Sequence, residues 1–219
     1  YISGGHLKSL SSSDFKELGE VIADLHNIST KKYSRISVEN LDLNFEHGIL
    51  NILKEVKEKT YRKNSLKNKM KSLLLYEEEN LIEGLKFLKE NVSYIISKRK
   101  DRVITHTDLH KGNMMKIKNK IYIIDWDSIC IALPEKDLMW FGDVKKVKKI
   151  FEKTYSKNLK KKYKFDKIAY KFYVIKRTLS SRTFFARNVL YEKNSREHMK
   201  DYVNWMENGM TTLKNALKD

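Results

Sequence analysis

A chain of 219 residues with 41% hydrophobic and 11% aromatic content is long enough to bury a core, and one proline with no Ser/Gly-rich linker favours a single domain over 1–219. No window approaches 18 uninterrupted apolar residues and no charged-then-apolar leader is seen, so neither a membrane span nor a signal peptide is expected. A lone cysteine, Cys130, cannot form an internal disulfide and points to a reducing, cytoplasmic setting, while a net charge of +17 raises the question of nucleic acid.

In chain order, Ser13 or Asp14 can cap a helix through His26, with Leu18, Val21, Ile22 and Leu25 on one face. Residues 30–45 read as irregular, 51–63 as short and highly charged, and Leu66 to Lys98 as two amphipathic runs with candidate breaks at Asn80 and Gly84. Val103-Ile-Thr105 and Met114-Met-Lys-Ile117 read as short strands on either side of His106-Thr-Asp-Leu-His-Lys-Gly-Asn113. Lys118-Asn-Lys120 is a plausible turn into a strand from Ile121 to Ile124, ahead of Asp125-Trp-Asp127. Then come a short helix in Glu135 to Phe141 and longer ones in Asp143 to Tyr155, Asp166 to Tyr191 and Ser195 to Leu217. No repeat of any period occurs.

The densest basic runs are Lys145-Lys-Val-Lys-Lys149 and Lys160-Lys-Lys-Tyr-Lys164. With no recognised nucleic-acid motif beside them, they read as solvated helix faces, and nucleic acid is not the expected partner.

The segment from His106 to Asp127 carries the chemistry. Transfer of a γ-phosphoryl group to a hydroxyl needs a carboxylate that orients the acceptor and takes its proton, and oxygen ligands that hold Mg2+ against the triphosphate. Asp108 is the candidate base. Asn113 and Asp125, at opposite ends of a tight hairpin, are the candidate ligands, because magnesium favours carboxylate and carbonyl oxygens. His106 and His110 have the i, i+4 spacing of a zinc helix, but Thr107 stands where that motif requires Glu and the flanking strands deny the helix.

His-x-Asp-x-x-x-x-Asn followed by a strand pair and Ile124-Asp-Trp-Asp127 resembles the catalytic and metal-binding segments of the aminoglycoside phosphotransferase and choline kinase family, relatives of the protein kinases. The family's wording is close to His-Gly-Asp-Leu-His-x-Gly-Asn. Thr107 alone departs from it, and Lys111 fills the free position where proline is expected. Phe15 to His26 is similar to the helix that opens the family's C-terminal lobe, and Pro134-Glu-Lys-Asp-Leu-Met139 to the segment after its metal-binding Asp. The resemblance covers about the first two thirds of the chain, with the loop far more specific than its flanks.

The resemblance implies a mainly α (α+β) fold, the C-terminal helical lobe of a protein-kinase-like enzyme with a small β-hairpin at its catalytic loop. Tyr1 to Gly5 resembles the end of the hinge between lobes, and neither Gly-x-Gly-x-x-Gly nor Gly-x-x-x-x-Gly-Lys occurs, so the N-terminal β lobe with its phosphate-reaching lysine is expected to be absent. It further implies ATP or GTP as donor and a small hydroxylated amine as acceptor, such as an aminoglycoside or spectinomycin-like antibiotic, whose amines could pair with Asp127 or Glu207. His106 is expected to pack under the loop, and Asp137 to tie the following helix to it, both structurally. Trp126, Trp140 and Trp205 are expected in the core rather than in an acceptor pocket. Two other functions are carried: a basic nucleic-acid-binding or adaptor protein with a kinase-like shell, and a choline-type or other small-metabolite kinase.

Overall fold

The structure, a computed structural model, describes residues 5–6, 11–33, 35–118, 120–141, 145–162 and 164–218, with side chains omitted at 5–6 and 145–148. Residues 1–4 of the expected hinge at Tyr1 to Gly5, Asn119 of the expected turn and the expected helix start at Asp143 lie outside them. It is mostly helical, with two small sheets. The chain divides into two compact units, Tyr1–Asn40 with Ile95–Tyr170, and Leu41–Tyr94 with Lys171–Asp219. Among the described residues no helix is long and apolar enough to cross a membrane.

The first unit opens with strand β1 (Gly5–His6) and helix α1 (Ser12–His26). The cap is Ser11, ahead of the expected residues. Its side chain accepts from Asp14 N–H, and its own N–H donates to Asp14 at 2.8 Å, a reciprocal capping box that satisfies two donors a helix start leaves open. Phe15, Leu18 and Ile22 recur at helical spacing, and α1 turns this stripe toward helix α5 (Lys145–Asn158). The two backbones come close at Gly19, where a Cβ would stand 3.3 Å from Phe151 O and Tyr155 N. Phe141, Phe151 and Tyr155 complete this core, with Leu109 and Met114 entering it from the loop.

Strands β2 (Val103–Thr105), β3 (Met114–Ile117), β4 (Lys120–Ile123) and β5 (Cys130–Ala132) follow. The first sheet has the order β1-β3-β4, and β2 pairs antiparallel with β5. Strand β5 was not expected. Three residues are too few for a clear alternation, and pairing holds it: Thr105 faces Cys130, and Val38 joins on the other side through Glu39 N–H to Ile131 O at 3.0 Å. Helix α1 anchors the hairpin, since Lys116 meets Asp14 at 2.6 Å and Ile121 N–H donates to Glu17 at 2.8 Å. Helix α4 (Glu135–Leu138) and a 3-10 turn at Met139–Phe141 match the short helix expected there.

The second unit is helical. Helix α2 (Phe45–Glu58) starts six residues before the charged segment read from sequence, burying Ile49, Ile52, Leu53 and Val56. Helix α3 (Leu66–Ser97) runs unbroken past Asn80 and Gly84. Gly84 is a contact point: its missing Cβ leaves room for Ile175 and Leu179, at 3.2 and 3.3 Å from where that atom would sit. Burial of Leu74, Leu81, Leu85 and Leu88 outweighs the roughly 1 kcal/mol that glycine costs in a helix. Helix α6 (Lys167–Leu190) matches its expected span within a residue at each end. The expected closing helix is instead two, α7 (Arg196–Asn208) and α8 (Met210–Lys218), parted at Gly209, where a Cβ would lie 2.9 Å from the Arg182 guanidinium. Arg182 and Glu77 form a buried ion pair, with Nε approaching Oε2 at 2.8 Å and Nη2 donating to Oε1 at 3.3 Å.

Candidate active site

The loop between β2 and β3 is shaped by a carboxylate that takes no part in the proposed chemistry. Asp137, fully buried on α4, accepts from His106 N–H at 2.9 Å through Oδ2 and from Thr107 N–H at 2.7 Å through Oδ1. Oδ2 also meets His26 Nε2 at 3.1 Å, and His26 Nδ1 meets the Tyr155 hydroxyl at 2.6 Å. Burial first, then the nearby Glu135 and Asp137 carboxylates, push the Tyr155 hydroxyl well above its ordinary range. The Asp137 carboxylate only accepts, so the proton between them sits on His26 Nε2, and in the neutral ring Nδ1 then accepts from the Tyr155 hydroxyl. One line of donors thus runs from α5 through α1 to α4, where the carboxylate that ends it also holds the loop backbone.

Thr107 has φ 77°, in the left-handed region that β-branched residues avoid. This gives a physical reason for the glycine in the family's wording: the backbone turns here in a way glycine tolerates best. Thr107 is held by its N–H to Asp137, by Trp140 Nε1–H donating to its carbonyl at 3.1 Å, and by its own hydroxyl donating to Ser128 O at 3.2 Å.

Asp108 and Asn113 meet. The Asn113 amide donates to Asp108 O at 2.9 Å and reaches Oδ2 at 3.3 Å, and Asn113 is buried. His110 Nε2 approaches the same Oδ2 at 3.5 Å. Asp125 is brought alongside through the backbone. The ladder pairs Met114 with Ile123, and Ile124 N–H donates to Asn113 O at 3.0 Å, so Asp125 begins one residue beyond the partner of Asn113. Its φ of 64° turns the chain out of the strand at that point. His106 lies beneath: Nδ1 accepts from Asp108 N–H at 3.3 Å, Nε2–H donates to Ile124 O at 3.0 Å, and the ring packs edge-on to Trp126 at 4.7 Å. One imidazole thus ties the Asp108 loop to the Asp125 strand.

The remaining sequence candidates lie elsewhere. Asp127 is exposed two residues past Asp125. Glu207 belongs to the second unit, where it is exposed and pairs with Lys69 at 2.7 Å. The core expectation fails for Trp126 and Trp205, which are 39% and 54% exposed. His26, Tyr155 and Trp140 shape the loop and were not singled out for it. The available signal was a histidine ending an amphipathic helix, which alone reads as core. A cavity of about 740 Å3 in the second unit, lined by Asn44, Phe45, Thr183, Phe184 and Arg187 among others, contains none of the candidate residues.

No curated protein matches the sequence. Among solved structures, spectinomycin phosphotransferase in complex with ADP and spectinomycin is similar with a TM-score of 0.82 at 17% identity, the match covering 99% of this chain and 68% of that one. An aminoglycoside phosphotransferase from Alicyclobacillus acidocaldarius gives 0.59 at 10% identity, covering 100% and 70%, and an ethanolamine kinase from Plasmodium vivax 0.56 at 15%, covering 99% and 63%. At such identities the likeness establishes the fold. Residues 1–164 match the profile of the phosphotransferase enzyme family, APH. With three quarters of its length inside that match, the chain belongs to the phosphotransferase enzyme family.

Proposed function

We propose that this chain is the catalytic and acceptor-binding lobe of a nucleotide-dependent phosphotransferase that moves a γ-phosphoryl group to a hydroxyl of a small hydroxylated amine, of the spectinomycin or aminoglycoside kind. The observation that carries the reading is the meeting of Asp108 and Asn113 in one loop, with Asp125 set beside Asn113 by the strand ladder. The fold shared with the spectinomycin enzyme supports the acceptor class.

Asp108 orients the acceptor hydroxyl and takes its proton as the oxygen attacks the γ-phosphorus in line. The bond from that phosphorus to its bridging oxygen breaks, and the electron pair leaves with the nucleoside diphosphate. The donor set fits Mg2+. The Asn113 NH2 is spent on Asp108, which leaves its amide oxygen as a hard ligand, and Asp125 supplies an exposed carboxylate. When bound, the ion neutralises charge on the β- and γ-phosphates. Asp127, exposed two residues past Asp125, is the carboxylate assigned to the acceptor's amines. No Gly-rich phosphate-binding motif occurs in the 219 residues, so by themselves they turn over little or nothing.

The test pairs two variants. Asp125→Asn should abolish Mg2+-dependent nucleotide binding, measured by calorimetry. Asp108→Asn should leave that binding intact and lower transfer in the complete enzyme about 100- to 10,000-fold. Salt-sensitive RNA binding that survives both substitutions, with no nucleotide binding in the parent, would overturn the assignment in favour of a nucleic-acid-binding shell. Turnover by these residues alone at about 1 to 1,000 per second would overturn the lobe assignment.

A further inference from the structure

We propose that the cavity of about 740 Å3 in the second unit is a binding site for a sugar phosphate, separate from the nucleotide and the amine acceptor of the reaction above.

Its walls are fixed by contacts within that unit. The first turn of α2 lies against α6, where a Cβ at Gly48 would stand 3.2 Å from Thr183 Cγ2. Past the end of α6, residues 192–194 are folded back onto it. The Asn194 amide donates to Asn188 O and to Asn188 Oδ1, both at 3.0 Å, and Glu192 N–H donates to Arg187 O at 3.3 Å. The Tyr191 hydroxyl donates to Glu55 on α2 at 3.1 Å. The volume falls in the range of about 300 to 1,000 Å3 usual for small-molecule sites.

The lining selects the chemistry of the ligand. Arg187 and Lys193 both line the cavity, and among the described residues neither meets a carboxylate. Helix α2, 14 residues long, begins there at Asn44, whose side chain does not cap it, and its positive end adds to theirs. Two cations suit a phosphate monoester, which carries about −1.5 to −2 at neutral pH, better than a single carboxylate. They repel a polyamine, so the amine acceptor is not what this cavity takes.

Glu192 is the one carboxylate in the lining. With the Asn44 amide and the Ser180 hydroxyl it makes three polar side chains that bond no other described residue, and these provide partners for the hydroxyls of a sugar ring. Phe45 and Phe184 supply an apolar wall for the C–H face of that ring. Phe184 is 54% exposed, a large aromatic surface that a bound ring would cover.

Glucose 6-phosphate tests this on the full chain by calorimetry, against glucose and inorganic phosphate. Saturable binding at millimolar concentration is expected, with both controls at least about 10-fold weaker. Arg187→Gln should weaken it about 10- to 100-fold, and Phe184→Ala about 3- to 10-fold. Both side chains are exposed, so the melting temperature should stay at that of the wild type. No binding, or binding that Arg187→Gln leaves intact, would overturn the proposal. So would inorganic phosphate binding as tightly as the ester, which reduces the site to a basic patch, or glucose doing so, which removes the anion. Asp125→Asn separates this site from the catalytic loop: glucose 6-phosphate should bind as before while Mg2+-dependent nucleotide binding is lost. Loss of both would place the sugar phosphate at the catalytic loop and sink the inference. A parent chain that binds the sugar phosphate but no nucleotide would count against the function proposed above and leave this site standing.

Discussion

The two units each bury a carboxylate, and they use it differently. In the first, Asp137 gives its oxygens to His26 and to two loop N–H groups, so the cost of burying it is recovered as a defined backbone around Asp108. In the second, Glu77 meets Arg182, and Gly209 leaves room for the guanidinium. The chemistry is nearly the same. What differs is whether the carboxylate's lone pairs serve a loop that must hold an unfavourable turn, or a helix junction that only has to pack.

Removing one member of each arrangement would expose that difference. The largest effect is expected from Asp137→Ala, which strands the His106 and Thr107 N–H groups, unable to change protonation, and should cost on the order of 3 to 5 kcal/mol in chemical denaturation. Nucleotide binding should fall with it. Arg182→Ala should cost less, about 2 to 3 kcal/mol, because the Glu77 carboxyl can neutralise. Burial already raises its pKa, with Arg182 opposing the rise. Nucleotide binding should persist wherever the protein is folded, and Glu77→Leu with Arg182→Leu should regain most of the loss. Equal effects of Asp137→Ala and Arg182→Ala on binding would erase the distinction.

The smallest effect concerns Asp14. Burial acts to raise its pKa, but the Lys116 ammonium and the Ser11 hydroxyl and N–H outweigh this and hold it below the ordinary value. A depressed carboxylate contributes stability that is fully present above the unfolded value of about 3.9 and is lost as pH falls through the lower folded value. The stability difference between wild type and Asp14→Asn should therefore be flat from neutral pH down to about 5 and shrink below 4. A difference that grows on acidification would contradict the assigned sign.

Much of the loop could be read from residue types, because Asp108, Asn113 and Asp125 fall within 18 consecutive residues and short strands bracket the loop. The strand ladder that sets Asp125 beside Asn113 follows from Met114 facing Ile123. Tyr155 and His26 were not legible in this way. Their partners lie 129 and 111 positions apart along the chain, and nothing local distinguishes either from an ordinary core residue. Gly84, a candidate break, lies inside an unbroken helix, while the expected closing helix is parted at Gly209, for the same reason. Whether a glycine breaks a helix depends on what packs against it, and Ile175 and Arg182 are distant in sequence. Thr107 gave the opposite lesson, since its departure from the family's wording marked the residue whose backbone is strained.

Gly19 bears no chemical group and lies outside the loop, yet it sets how near α1 can come to α5. A Cβ there would meet the α5 backbone at 3.3 Å, tight enough that the helices must give by a few tenths of an ångström, and larger side chains would press on the crossing that the Tyr155–His26 contact spans. Slack introduced at that crossing would travel to Asp137 and on to the turn at Thr107. The smallest residue in the helix thereby acts as the shim against which the reactive loop is trued.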